Sequence, residues 1–92
     1  MVKISFDEIL YVESLSDYIK IYLKDKTIIT RETISNIETK LPNQVFYRIH
    51  RSYIVNKNKI HSYTNEFIEI DKKALPISRT YKENLLKKLS EF

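Results

Sequence analysis

Two histidines, His50 and His61, are the only imidazoles in the 92-residue chain, and there is no cysteine to join them. Their separation fits no metal-binding spacing, and without a thiolate no Cys-based zinc or iron–sulfur site can form. The absence of cysteine fits a reducing compartment. The carboxylates are scattered, and no close pair falls inside an apolar run where burial would tune one for acid–base work. An acid–base nuclease built on His50, His61 and nearby lysines is therefore disfavoured, and His61 reads more simply as a solvated residue of a hairpin. The chain contains no glycine. That excludes the phosphate-binding P-loop, the dinucleotide fingerprint and the glycine-flanked nucleophile elbow, each of which needs backbone that only glycine supplies. The residues point away from an enzyme and toward no cofactor or metal.

The most unusual segment is Arg48-Ile49-His50-Arg51-Ser52-Tyr53. An arginine offers a planar fork that takes guanine O6 and N7 together, while histidine and serine reach bases or phosphates. The plainer reading puts the aromatics in the core and leaves Arg48 and Arg51 solvated. Both hold if Phe46, Ile49, Tyr53 and Val55 anchor the segment and His50, Arg51 and Ser52 point outward. Arg79 is a second candidate. It follows Ser78 in the first turn of an expected helix, beside the positive end of the helix dipole. An anion arriving there would meet both the helix N-terminus and the guanidinium.

Charge supports a polyanionic partner. Residues 1–45 hold six Lys/Arg and seven Asp/Glu, whereas residues 46–92 hold ten and five, so the whole net charge of +4 comes from the second half. Hydrophobic residues at 42% and charged residues at 30% are ordinary for one folded domain, and 92 residues are too few for two. Met1 to Glu8 carries charges where a signal peptide needs an apolar stretch, and no run is long enough to span a membrane. A soluble cytoplasmic protein is expected.

These residues must be positioned by short elements. Tyr18 to Lys24 alternates strictly, with Ile19, Ile21 and Leu23 on one face and Tyr18, Lys20 and Tyr22 on the other. Ile9 to Ser14 and Thr27 to Arg31 read as flanking strands. The tight turn Lys24-Asp25-Lys26 relies on Asp for any left-handed backbone it needs. The period then changes. Ile34, Ile37 and Leu41, after an N-cap at Thr33 and before Pro42, predict a helix at about 33–41. Phe46 to Asn56 obeys neither period and reads as a short strand followed by a turn of helix. Lys59–Thr64 and Phe67–Ile70 form an expected hairpin tipped by Asn65-Glu66. Lys72-Lys73 turns into an edge strand holding Pro76. Ser78 caps a helix at about 79–90 with Tyr81, Leu85 and Leu89 as its buried stripe, widened by Leu86. Six or seven strands and two helices without regular alternation imply a mostly β, antiparallel domain.

Three motifs, in order, carry a resemblance. Asp7-Glu8-Ile9-Leu10-Tyr11-Val12-Glu13-Ser14 with Asp17-Tyr18, then Phe46 through Asn56, then Leu75-Pro76-Ile77-Ser78-Arg79 with Tyr81-Lys82, resemble the LytTR DNA-binding domain of bacterial transcription regulators. The likeness covers nearly the whole chain. It implies several small antiparallel sheets packed as an elongated β-domain with two short helices, and no helix-turn-helix. It also implies that loops enter successive major grooves and that the DNA bends. Position by position, the implied DNA-contacting residues are Ser16 and Asp17, then His50, Arg51 and Ser52, then Arg79. Backbone contacts fall at Asn56, Lys57 and Lys82. Asp17 departs in charge, since a carboxylate beside phosphates must accept from cytosine N4 to be favourable. The implied partners are double-stranded DNA, as paired copies on direct repeats of a domain that is monomeric alone, and a receiver domain within a two-component system fed by a sensor kinase. Two other classes compete. One is a protein-interaction or dimerisation module using exposed Tyr18 and Tyr22. The other is a single-stranded nucleic-acid binder that stacks bases on those rings.

Overall fold

The computed structural model describes residues 5–90, so Met1 to Ile4 of the charged N-terminus lie outside the described residues. Ten regular elements run in the order β1 (Ile9–Leu15), β2 (Tyr18–Leu23), β3 (Thr27–Arg31), α1 (Ile34–Lys40), β4 (Phe46–His50), β5 (Tyr53–Asn56), β6 (Ser62–Tyr63), β7 (Phe67–Ile70), β8 (Lys73–Pro76) and α2 (Arg79–Leu89). Five strands make one antiparallel sheet in the order β3-β2-β1-β5-β4, and three make a second in the order β6-β7-β8. The expected mostly β architecture with two short helices is the one observed, and at 37 × 23 × 22 Å it is elongated.

Alternation along the large sheet creates two cores. On one face Ile9, Val12, Ile19, Ile21, Leu23, Phe46 and Ile54 pack against Ile34 and Leu41 of the α1 region. On the other, Leu10, Tyr11, Tyr47, Ile49 and Val55 pack against Ile68, Ile70 and Leu75 of the small sheet and Leu85 and Leu89 of α2. The large sheet is thus the middle layer, and its two apolar faces each find a cover. Thr33 caps α1 as its sequence predicts, Oγ1 accepting from the Asn36 N–H at 3.1 Å. Pro76 lies in an edge strand, where its missing N–H is tolerated.

Four local expectations need correction. Phe46 to Asn56 is a β-hairpin turning at Arg51-Ser52, not a strand followed by helix, because both of its strands find partners in the large sheet. Eight strands therefore replace six or seven among the described residues. The turn expected at Lys72-Lys73 is Asp71-Lys72. Both residues have positive φ (49° and 68°), as a two-residue type I′ hairpin requires. No residue of Lys24-Asp25-Lys26 is left-handed; that turn closes through the Leu23 N–H donating to the Lys26 carbonyl at 2.8 Å. Finally, Ser78 occupies the N-cap position of α2 but its hydroxyl makes no capping bond, and Oγ is buried without a partner.

Candidate nucleic-acid interface

Strand order decides where the turns go. β1 pairs antiparallel with β2 and with β5, Leu15 opposite Tyr18 and Glu13 opposite Tyr53. The end of β1 and the start of β5 therefore lie at the same end of the sheet, and with them the Ser16-Asp17 and Arg51-Ser52 turns. The Ser14 N–H donates to the Ser52 carbonyl at 2.8 Å, joining the two turns directly. Arg31, opposite Tyr18 at the end of β3, extends the row. Ser16 is left-handed at φ 58°, the positive first angle of a type II′ hairpin loop, so both residues of this tight loop stand clear and exposed.

The third candidate reaches the same end through a bulge. The β4–β5 ladder shifts register between Arg48 and His50, leaving Ile49 as the extra residue. Its side chain is fully buried while its carbonyl accepts from the Ser78 N–H at 2.9 Å. That bond fixes the N-terminus of α2 against the His50–Ser52 turn and places exposed Arg79, the first residue of the helix, beside it. Lys82 follows one turn later and is half-buried.

Within the turn the three residues differ. Arg51 is exposed. His50 and Ser52 are half-buried, the Ser52 N–H donating to His50 Nδ1 at 3.0 Å. With Nδ1 an acceptor, the neutral ring carries its proton on Nε2, which becomes its one donor. Burial, then the charges of Arg51 and Arg48, push the His50 pKa below its ordinary 6.5 and favour this neutral form.

Two expected site residues sit elsewhere. Asn56 is 1% exposed; its Nδ2 donates to the Ile9 carbonyl at 2.9 Å and its Oδ1 accepts from the Asn58 N–H at 2.9 Å. A side chain so enclosed holds β1 to the turn after β5 and has no surface to offer a backbone phosphate. Lys57, half-buried, follows at the far end of β5 from the Arg51-Ser52 turn, its ammonium 6.0 Å from the centre of the Tyr47 ring. The expectation that Arg48 is solvated also fails: its side chain is 10% exposed and its fork is fully engaged. The sequence offered only an arginine in a segment that obeys neither period, which does not distinguish an outward from an inward fork.

Tyrosine placement bears on the competing readings. Tyr18 is exposed on β2, whereas Tyr22 is half-buried. It lies on Tyr11 at 4.3 Å between centroids and 20° between planes, and its hydroxyl donates to Glu13 at 2.7 Å. Tyr53 donates to the other oxygen of Glu13 at 3.1 Å. Burial and the neighbouring carboxylate raise all three phenols, Tyr11 to about 12, so none ionises in the physiological range. His61 is exposed and lies just before β6 rather than in it.

Residues 1–90 match the LytTr DNA-binding domain family across nearly the whole chain. The chain belongs to the LytTR family. Similar proteins include the sensory transduction protein LytT of Bacillus cereus, 32% identical over 95 residues that cover 97% of this chain and 39% of that protein. LytT of Bacillus subtilis is 32% identical over 88 residues, covering 89% of this chain and 36% of that protein. The LytTR chain thus spans well under half the length of these relatives. A solved LytTr DNA-binding domain from Bacillus cereus superposes with a TM-score of 0.82 at 26% identity, covering 99% of this chain and 88% of that one. In this LytTR chain the first motif ends in the β1–β2 turn, the second makes the β4–β5 hairpin, and the third runs from β8 into α2. Among the described residues no helix is long and apolar enough to cross a membrane, and no cluster of three or more His, Asp or Glu could hold a metal ion.

Proposed function

We propose that this LytTR domain binds double-stranded DNA sequence-specifically as the output domain of a bacterial transcription regulator, with turns rather than a helix entering the major groove. The observation that carries the reading is the convergence of three separated segments on one end of the sheet. Ser16-Asp17, His50-Arg51-Ser52 and Arg79 are tied together by the Ser14–Ser52 and Ser78–Ile49 backbone bonds. Rigidly linked turns suit base reading because the backbone that carries their side chains arrives already ordered. Arg51 and Arg79 offer guanine-matched forks, and His50 Nε2–H offers a donor to an acceptor edge. Lys82 supplies a phosphate contact without sequence information. The domain is read as a binding module with no catalytic role. In a longer regulator it would answer to a receiver domain and a sensor kinase, since the relatives named as sensory transduction proteins are more than twice as long.

Selection of bound duplexes from a random library, followed by an electrophoretic shift against duplex and single-stranded competitors, tests this. An enriched motif competed only by duplex is expected. Preferential competition by single strands would favour base stacking, and no binding to either would favour a protein-interaction module. The stacking of half-buried Tyr22 on Tyr11 and its bond to Glu13 count against both alternatives, because each used Tyr22 together with exposed Tyr18.

A further inference from the structure

The guanidinium of Arg48 spends its donors on the very turn that the DNA-binding reading singles out. Nε donates to the His50 carbonyl at 2.7 Å and Nη2 to the Arg51 carbonyl at 2.8 Å, so one fork holds two consecutive carbonyls of the turn. Nη1 pairs with Glu38 Oε1 of α1 at 2.6 Å, and the guanidinium carbon lies 5.5 Å from the centre of the Tyr81 ring on α2. The side chain leaves β4 one residue before the Ile49 bulge, whose carbonyl takes the Ser78 N–H. Arg48 thus touches the His50–Ser52 turn, α1 and the first turn of α2. At 10% exposure its charge is turned inward and cannot act as a phosphate ligand.

We propose that Arg48 is a positioning residue for sequence reading: it locks the His50–Ser52 turn to both helices, and so fixes Arg51 relative to Arg79 without itself touching DNA. This rests on the DNA-binding reading. The chemistry explains the residue type. Only a planar guanidinium presents parallel donors to two backbone carbonyls while a third nitrogen meets a carboxylate and its face meets a ring. A lysine keeps the charge, but its flexible ammonium cannot span the same four partners. Specificity is sensitive to such a clamp, because two base-reading side chains 28 positions apart in sequence must arrive in register on successive base edges.

The test titrates wild type, Arg48→Lys and Glu38→Ala with a duplex selected by the wild-type protein and with a scrambled duplex, at several salt concentrations. In parallel, amide exchange is followed at Ser52, whose N–H is held by His50 Nδ1. For Arg48→Lys we expect the selected duplex to weaken about tenfold or more, equivalent to about 1.4 kcal/mol. The scrambled duplex should stay within about twofold, the salt slope should not change and Ser52 exchange should quicken. Glu38→Ala is the discriminating arm. It removes a negative charge from a basic protein, so a mere change of field would tighten binding to both duplexes. The clamp instead predicts a severalfold loss on the selected duplex with faster Ser52 exchange. Should Arg48→Lys fail to fold by circular dichroism, Glu38→Ala decides alone, since Glu38 is on the exposed side of α1. Wild-type affinities in both variants, or equal losses on both duplexes with a shallower salt slope, would overturn the proposal. If the wild type showed no duplex preference, the DNA-binding reading would fall. Ser52 exchange would then decide the clamp: wild-type exchange in Arg48→Lys overturns it and faster exchange supports it.

Discussion

Arg51, Arg79 and Lys82 carry charge of the same sign, and the proposed DNA complex gives them different tasks. Arg51 and Arg79 stand exposed on backbone held by the Ser14–Ser52 and Ser78–Ile49 bonds, so the points from which their forks extend are fixed. Arg51→Ala or Arg79→Ala should each cost about 1–3 kcal/mol on the selected site and relax the preference there, whereas Lys82→Ala should weaken all duplexes about equally and flatten the salt slope by about one unit. Titrating selected and scrambled duplexes at several salt concentrations separates the cases; equal losses on both duplexes for the arginine variants would reduce them to part of the positive field. His50 gives a prediction on stability. Its folded pKa lies below 6.5 because burial and the two arginines disfavour the imidazolium, so the unfolded chain takes the proton first. The stability from the neutral ring is complete above pH 6.5 and is lost as pH falls through the depressed folded value. Melting temperature between pH 7.5 and 5 should therefore drop more for wild type than for His50→Ala. Parallel pH profiles would show that folding does not depress the His50 pKa.

At the level of elements, what the sequence disclosed follows from periodicity. Strict alternation in β2 and the spacing of Leu85 and Leu89 in α2 are one-dimensional signals of a buried face, and both faces are buried as expected. The β4–β5 hairpin was not legible, because its strands are short and the Ile49 bulge breaks the alternation between them. The inward roles of Arg48 and Asn56 were not legible either. Asn56 depends on Ile9, far away in sequence, and Arg48 on Glu38 of α1 and on the carbonyls of a turn that was itself not legible. Turn chemistry was half legible. A chain without glycine must place other residues in left-handed backbone, and it does so at Ser16, Asp71 and Lys72. For the last two the cost is local strain in a type I′ turn, whose second position favours glycine. Lys72→Gly should therefore raise stability by roughly 1 kcal/mol, and a gain of that size shifts the melting temperature by about 4–8 °C in a domain of this length. Differential scanning calorimetry measures it; an unchanged or lower melting temperature would mean that Lys72 gains from contacts what its backbone loses.

For the whole molecule, both faces of the large sheet are covered, and the turns proposed to bind DNA lie at its end. Nothing in either core depends on the exposed side chains of the turns, so binding can be altered there with little effect on folding. The excess of positive charge comes from the second half of the chain, and Arg51 lies at the same end of the large sheet as Arg31. Four to six phosphate contacts at this end would release enough counterions for a log–log slope of affinity against salt of roughly −4 to −5. Assembly follows from the same geometry. The described residues contain no long apolar helix face of the kind that zips two copies together, since the apolar stripe of α2 is spent on the small sheet and β4. The isolated domain is therefore expected to be a monomer in solution, with two copies meeting only on DNA as the family resemblance implies, each reading one of two similarly oriented repeats on the same side of the duplex. Sedimentation with and without the selected duplex, combined with the salt titration, examines both expectations in one set of conditions. A single species at monomer mass that becomes a two-to-one complex on a direct repeat, with the steep slope, is the expected result. A slope near zero would remove the electrostatic basis of binding. A tight dimer without DNA, or strictly palindromic selected sites, would instead place a two-fold axis between the copies and require an interface that the turn-bearing end of the sheet does not supply.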